Sequence, residues 1–396
     1  MIWWPILVLA LPAFAILIDG VAGVRARDIV YTPGSGSHAA FRVLVPIWGN
    51  VRYLTNVDAA LAPYGDRVTL CTTGDESDEF YQALNRIAAR HGFAVFVDAP
   101  RGAKRGSGRS TGGTTRDRLI CHVLVAGDIR EPYVVPLDAD SVPDGSLAVP
   151  VGELVRRGLD VASVRVMPAN RTESVLTRLQ WLEYRLAMQI KFLCPWMLSG
   201  ACHIARTQVL ADVMSRHSLF FQGNDVETGL LAERLGYRVG FIPFCIDTDV
   251  PATVRPWLRQ RLAWAGGQFR LFIVNIRYIR WHPFMWLYGG GVTYIALALR
   301  YQSFGHSNWR VSATATGYLL LVLFLYARSG AGAWWVLLMP FYVLVQSFVI
   351  VPLGAVWYVK MAIPARNAGL ISTRKTKDAL ATEWRQRQHR HRKVAS

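Results

Sequence analysis

Residues 138–141 read Asp-Ala-Asp-Ser, directly after the short apolar run Tyr133–Leu137. Two carboxylates at i and i+2 where a strand ends converge on one hard cation. Mg2+ or Mn2+ takes oxygen ligands and keeps positions open for substrate phosphates. Asp138 and Asp140 are therefore the candidate metal ligands, with Mg2+ or Mn2+ as the expected cofactor. Solvated turns contain the same pattern often, and it is the strand before it that favours the cation. A second pattern, Gly108-Arg109-Ser110-Thr111-Gly112, has nucleophile-elbow spacing, which requires a strand before it and a helix immediately after. It lies instead within the basic, Gly/Ser/Thr-rich stretch from Arg101 to Arg118 and reads as a loop. Nine histidines show no His-Glu-x-x-His spacing, and five cysteines form no Cys-x-x-Cys pair. Neither set suggests a zinc site or a disulfide framework, and the thiols read as reduced.

The carboxylate pair needs a scaffold, and the surrounding pattern supplies one. Apolar runs at Phe41–Pro46, Val68–Cys71, Ala94–Val97 and Tyr133–Leu137 alternate with helix-like stretches at Val51–Leu61, Glu79–Arg90 and Leu119–Val125. Short apolar runs alternating with helical ones imply βαβ units and a mostly parallel sheet. Ligands of such sheets bind beyond the carboxyl ends of the strands, which is where the Asp138–Asp140 pair falls.

Further motifs follow in order. Leu198-Ser199-Gly200-Ala201-Cys202 comes first, then Gln222-Gly223-Asn224-Asp225-Val226-Glu227-Thr228, then Thr248-Asp249-Val250-Pro251, then Arg259-Gln260-Arg261-Leu262-Ala263-Trp264. With these the sequence resembles the family-2 glycosyltransferases of GT-A fold, in particular the membrane-embedded processive synthases of hyaluronan, chitin, cellulose and capsules. The resemblance runs from about Phe41 to Trp264. It implies an α/β, Rossmann-like GT-A domain in the cytosol with α-helical transmembrane segments at both ends. It also implies a nucleotide-sugar donor, with UDP as the expected nucleotide, and a polysaccharide or lipid acceptor. Asp225 would be the general base and Arg261 would stabilise the leaving diphosphate. Pro46, Asn50, Asp75, Lys104 and Asp138 would line the donor site. Ser199, Gly200, Cys202, Gln260 and Trp264 would line the acceptor site, and Asp138 and Asp140 would hold the metal.

These roles are chemically sound. A nucleoside diphosphate leaving group needs a cation or an arginine, an acceptor hydroxyl needs a carboxylate within reach, and an indole can cover the apolar face of a pyranose. The alternative for Trp264 is an interfacial anchor beside the bilayer. Three positions depart from the family pattern. The second strand ends in Thr72-Thr73-Gly74-Asp75 rather than in an acidic pair, so Asp75 is the substitute contact for the base. Ala263 stands where an arginine usually precedes the tryptophan, which leaves Arg261, with Arg259 or Arg270, for the diphosphate. Asn224 stands where an acid is common. A non-processive lipid glycosyltransferase is the alternative within the class, and a catalytically inactive membrane scaffold is the alternative outside it.

Hydropathy is unevenly spread along the 396 residues, of which 52% are hydrophobic. Ile2–Ile18, Pro283–Leu299, Val311–Ala327 and Ala333–Val359 carry no charge. Arg25 and Arg27 follow the first of these, so its charge comes after the apolar run, as in an anchor with its N-terminus outside. Gly266–Trp281 reads as an amphipathic interfacial helix. The expected organisation is an N-terminal transmembrane helix over 1–24, the GT-A domain over 25–250, the Gln260–Trp264 element and interfacial helix over 251–282, a transmembrane region over 283–364, and a cytoplasmic tail over 365–396. A cytoplasmic tail requires that the glycine-rich segment Pro283–Leu299 does not cross fully or that the longest apolar run breaks at Pro340 or Pro352. The formal net charge is +17. Much of the excess sits in the tail and beside the apolar segments, so it points to a bilayer surface rather than to nucleic acid. The expected location is the plasma membrane, multi-pass, with the catalytic domain in the cytoplasm.

Overall fold

The computed structural model describes residues 39–49, 51–98, 112–126, 129–217, 223–274 and, further on, 316–317, 319–320, 323–324 and 334–362. The expected N-terminal anchor, Asn50, Lys104, Pro283–Leu299 and the basic tail lie outside the described residues. The chain divides into two compact units. The first comprises Tyr31–Ala169, Cys194–Asp249 and Lys360–Ser396, and the second comprises Met1–Val30, Asn170–Leu193 and Val250–Val359. The segment Asn170–Leu193, contiguous in sequence with the α/β domain, thus groups with the C-terminal part.

The first unit begins with the expected alternation. β1 (Phe41–Pro46), α1 (Arg52–Leu61), β2 (Val68–Thr73), α2 (Asp78–His91), β3 (Ala94–Asp98), α3 (Gly112–Ala126) and β4 (Tyr133–Pro136) follow one another. Helix α2 shows why its boundaries fall where they do. The Ser77 hydroxyl accepts from the Phe80 amide, Asp78 and Glu79 sit in the first turn, and Gly92 closes the helix at φ 73°. Hydroxyl cap, acidic first turn and left-handed glycine are the standard end signals.

After β4 come β5 (Ser141–Pro143), α4 (Ala148–Arg156), β6 (Val161–Pro168), β7 (His203–Arg206), α6 (Thr207–Ser215), α7 (Asn224–Arg234) and β8 (Val239–Thr248). Between β6 and β7 the chain makes α5 (Val175–Ile190), which belongs to the second unit. The eight strands form one sheet in the order β3-β2-β1-β4-β7-β6-β8-β5. Four of its seven strand pairs are parallel, in line with the expectation of a mostly parallel sheet, and three are antiparallel. Pairs β1–β2, β1–β4, β2–β3 and β6–β8 are parallel, while β7 runs antiparallel to both β4 and β6, and β5 antiparallel to β8. Reversal of β7 has a local consequence: its entry loop passes the carboxyl end of β4, where Leu137 bridges to Cys202. Leu44, Leu119, Val134, Val161, Leu210 and Leu231 centre the core of this unit.

In the second unit, α5 and α8 (Val254–Val274) pack with a helical run near the C-terminus. Asn170 pins the approach to α8: its amide donates to the Val250 carbonyl at 2.8 Å, and its carbonyl accepts from the Val250 amide at 3.0 Å. The Gln260–Trp264 motif and residues 266–274 form one continuous helix, rather than a motif followed by a separate interfacial one. The C-terminal run changes form near its two prolines. A 3-10 turn (Trp334–Leu338) precedes α9 (Met339–Val345), with Pro340 in its first turn, and a π turn (Gln346–Ile350) ends just before Pro352 in α10 (Val351–Ala362). A proline lacks the N–H a helix needs, so the local pitch shifts to accommodate it. Gly354 allows α10 to lie directly on α8. A methyl group there would stand 2.6 Å from Ala265 Cβ and 2.8 Å from the Gly266 nitrogen. Among the described residues no helix is long and apolar enough to cross a membrane.

Candidate active site

Asp138 follows β4 at the carboxyl end of the sheet. Its amide donates to the Ala201 carbonyl at 2.8 Å, and its own carbonyl accepts from the Ser141 amide at 3.0 Å. The first hydrogen bond ties the carboxylate pair to the Ser199–Cys202 loop. Asp225 joins them from the other side, at the start of α7. A methyl group placed on Gly200 would stand 3.3 Å from Asp225 Oδ2, so the carboxylate abuts the glycine's bare Cα. Within the first unit the structure thus brings together Asp138, Ser199, Gly200 and Asp225. Cys202 is next to them in the chain, but its side chain is fully buried.

A buried cation, Arg116 of α3, lies at the centre of this group. Its Nε donates to Asp138 Oδ1 at 2.5 Å, its Nη1 to Asp117 Oδ1 at 2.6 Å, and its Nη2 to the Gly200 carbonyl. Burial opposes the charge on Arg116, but Asp138 and Asp117 outweigh it and hold the guanidinium firmly protonated. Burial raises Asp117 above the usual carboxylate range, with Arg116 pulling the other way. Asp138 is likewise raised by burial and partly restored by Arg116. Asp140 is pushed up to about 7, by burial first, then by the charge of Asp138, with Asp249 adding to it. The register explains the last contribution, because Ser141 pairs with Thr248, which sets Asp140 opposite Asp249.

The remaining donor-side residues lie at other strand ends. Pro46 is the buried last residue of β1, paired with Cys71. Asp75 is exposed in the turn after β2. Its neighbour Glu76 is the better anchored acid: it accepts from the Gly49 amide at 2.8 Å and from the Thr73 hydroxyl at 2.5 Å, closing the loops after β1 and β2 on each other.

Gln260, Arg261 and Trp264 belong to the second unit and form a cluster of their own. Arg261 is buried and pairs with Glu183 of α5: Nη1 donates to Oε1 at 2.9 Å, and Nη2 lies 2.7 Å from Oε2 as an ion-pair contact. Tyr342 donates to the same Glu183 at 2.7 Å and accepts from Trp257 Nε1 at 3.1 Å. The Arg261 guanidinium carbon lies 4.5 Å from the centre of the Trp264 ring, and Trp264 is 40% exposed. The motif therefore presents an open indole backed by a cation that Glu183 already pairs, while its Nε and Nη2 make no hydrogen bond among the described residues.

Arg116, Asp117, Glu76 and Glu183 were not legible as site residues in the sequence. Arg116 and Asp117 fall at the end of a stretch rich in glycine, serine and threonine, and α3 in fact begins at Gly112, inside it. An ion pair between distant segments leaves no periodic signal.

Residues 133–361, more than half of the chain, match the family described as Glycosyl transferase family group 2. The chain belongs to that family. This member is 29% identical over 192 residues to an N-acetylglucosaminyltransferase of Bradyrhizobium diazoefficiens, covering 45% of this chain and 36% of that protein. To an N-acetylglucosaminyltransferase of Rhizobium meliloti it is 27% identical over 172 residues, 39% of this chain and 40% of the relative. The matches thus span well under half of either relative. In fold it is similar to the mannosyltransferase PcManGT from Pyrobaculum calidifontis, solved in complex with GDP-Man and Mn2+. That likeness has a TM-score of 0.56 at 16% identity over 90% of this chain and 99% of the other. The fold is accordingly a mixed α/β, Rossmann-like GT-A fold.

Among the described residues no group of three or more His, Cys, Asp or Glu side chains forms a ready-made metal site. The residues present nevertheless fit a divalent cation that is completed by substrate. Mg2+ and Mn2+ sites of this kind use one or two carboxylates plus phosphate oxygens. Asp140 carries the unrelieved proximity of Asp138 and Asp249, and Asp138 has one oxygen on Arg116 and a side chain still 31% exposed.

Proposed function

We propose that the chain is a membrane-associated, inverting glycosyltransferase. It moves a sugar from a nucleoside-diphosphate donor, UDP-N-acetylglucosamine in the first instance, onto a hydroxyl of a growing glycan that is exported as it lengthens. The observation that carries this reading is the junction of Asp138, the Gly200 loop and Asp225 around Arg116 in one unit. Family membership fixes the reaction class, and the named relatives support the choice of sugar.

The geometry suits a single displacement. Asp225 takes the proton from the acceptor hydroxyl, whose oxygen attacks the anomeric carbon. The bond from that carbon to the diphosphate breaks, and its electron pair leaves with the nucleotide. Asp225 stands in the first turn of α7, beside Gly200. Asp138 and Asp140 would hold the divalent cation, which would offset the charge of the departing diphosphate. Trp264 would cover the apolar face of the acceptor sugar.

The membrane part of the reading is supported by the second unit's surface. Trp334, Leu337, Phe341, Val345, Val349 and Leu353 recur at intervals of three and four and are all exposed. An exposed apolar stripe of this length suits lipid better than water.

The test is direct. Detergent-purified protein is given Mn2+ and one radiolabelled donor at a time: UDP-N-acetylglucosamine, UDP-glucose or GDP-mannose. The expected result is a high-molecular-weight product from the first donor only. A product extended by one sugar would move the reading to a lipid glycosyltransferase, and no nucleotide release with any donor would sink it.

A further inference from the structure

Helix α7 opens with Asn224 and Asp225, and the neutral residue stands where relatives of this pattern commonly carry an acid. The structure shows what surrounds that exchange. Asn224 is 2% exposed. Its carbonyl accepts from the Thr228 hydroxyl at 2.9 Å and lies 2.8 Å from His217 Nε2. Its side-chain amide donates to the carboxylate of Asp117, itself 3% exposed. Glu227 is fully buried one turn along, 3.8 Å from His217. An acid at 224 would add a further buried carboxylate beside Asp117, Asp225 and Glu227, and like charges in a desolvated cluster are costly. An amide at 224 instead gives Asp117 a donor and adds no charge.

From Asp117 the chain of contacts continues without a break. Asp117 holds Arg116, and Arg116 holds both Asp138 and the carbonyl of Gly200, the glycine whose bare Cα Asp225 abuts. Displacing any link shifts the first turn of α7 relative to the donor pair. We propose that Asp117 is the positioning residue of the base: the acid expected at 224 is supplied from α3 at 117, and the Asn224–Asp117–Arg116 chain sets the distance between Asp225 and the Asp138 side of the site. This rests on the reading of Asp225 as general base. Asp117 has no contact with substrate in this role. It acts through the placement of Asp225, and a misplacement of about 1 Å costs on the order of 100-fold in rate.

The experiment is an exchange of the two residues, using full-length protein in detergent. Asp117→Asn removes the acid, Asn224→Asp places two acids face to face, and the double variant restores one acid and one amide with their positions swapped. Turnover, donor KM and melting temperature are measured for each, with Asp225→Asn in parallel. The expected result is a loss of about 10- to 100-fold in kcat for each single variant. Donor KM should stay within about threefold, and the double variant should regain most of kcat. A merely structural pair would move melting temperature and leave kcat of the folded fraction unchanged. If Asp117→Asn fails to fold, Asn224→Asp and the double variant decide alone. Single variants with wild-type kcat, or a folded double variant no better than the worse single, would overturn the proposal while a dead Asp225→Asn left the base in place. A wild-type-like Asp225→Asn would remove the base and this proposal together.

Discussion

Two carboxylates of the site differ in what surrounds them, and each difference can be measured. Asp225 sits in the first turn of α7 after Gly223, which is left-handed at φ 81°. Gly223, not Asp225, is the N-cap of α7, so the near-isosteric Asp225→Asn removes no cap and should fold with a melting temperature within a few degrees of wild type. Losing a general base costs about 10²–10⁴-fold, and turnover should fall by that factor while nucleotide-diphosphate binding persists. Asp140 gives a pH signature. Its folded value of about 7 is above the ordinary 3.8. Between those values the folded protein holds a proton that the unfolded chain has lost, so stability falls as pH rises from about 4 to about 7 and then levels off. Mn2+ requires the ionised carboxylate. The rise in melting temperature on adding Mn2+ with nucleoside diphosphate should therefore be larger at pH 8 than at pH 6. Asp140→Asn should abolish that pH dependence. An equal Mn2+ shift at both pH values would contradict the assignment.

At the scale of elements, two close approaches fix the catalytic helices. Gly229 of α7 lies so near the loop before Ser199 that an added Cβ would stand 1.9 Å from the Trp196 carbonyl oxygen. Backbone cannot yield as a side-chain tip can, so Gly229→Ala should cost about 1–3 kcal/mol by overpacking. It should also lower turnover, because α7 carries Asp225 at its other end. Thermal melts with parallel assays would check this. Glu183 of α5 is the shared partner of Arg261 on α8 and Tyr342 on α9. Glu183→Gln leaves a buried arginine short of its counter-charge, at about 3 kcal/mol, whereas Tyr342→Phe removes one hydrogen bond at about 1 kcal/mol. If the Arg261 fork serves Trp264 rather than the diphosphate, Glu183→Gln should raise acceptor KM and leave donor KM unchanged. The elements themselves were largely legible. The runs at Phe41–Pro46, Ala94–Val97 and Tyr133–Leu137 became β1, β3 and β4 within a residue, because each is a short apolar run alternating with helical stretches, including β3, which is an exposed edge strand. Antiparallel β7 was not, since its four residues His203–Arg206 show no alternation and owe their pairing to β4 and β6. Asp138, Asp140, Asp225 and Gly200 were found because they lie in short ordered motifs. Arg116 and Glu183 were missed because their importance comes from a partner 22 residues away in one case and 78 in the other.

Over the whole molecule, charge and thiols together make the orientation testable. The segment from Ala365 to Ser396 carries nine Lys and Arg residues and two acids, and lies outside the described residues. Positive segments flanking apolar ones stay on the cytoplasmic side, where anionic lipid also attracts them. The sugar-nucleotide chemistry requires the same side for the α/β unit, because the donor is cytosolic under this reading. Labelling can report the side cleanly because the natural thiols are poor targets. Cys71, Cys121, Cys194 and Cys202 are buried and Cys245 is half-buried. Burial pushes Cys194 up to about 12 and Cys245 up to about 11, far above the pH at which a maleimide would compete for thiolate. A Ser372→Cys variant therefore adds the one readily reactive thiol expected in the chain. In intact cells an impermeant maleimide should leave it unmodified, and after permeabilisation the same reagent should label it. Labelling before permeabilisation would put the tail outside. That result would require an odd number of crossings after the α/β unit, with that unit still facing the donor.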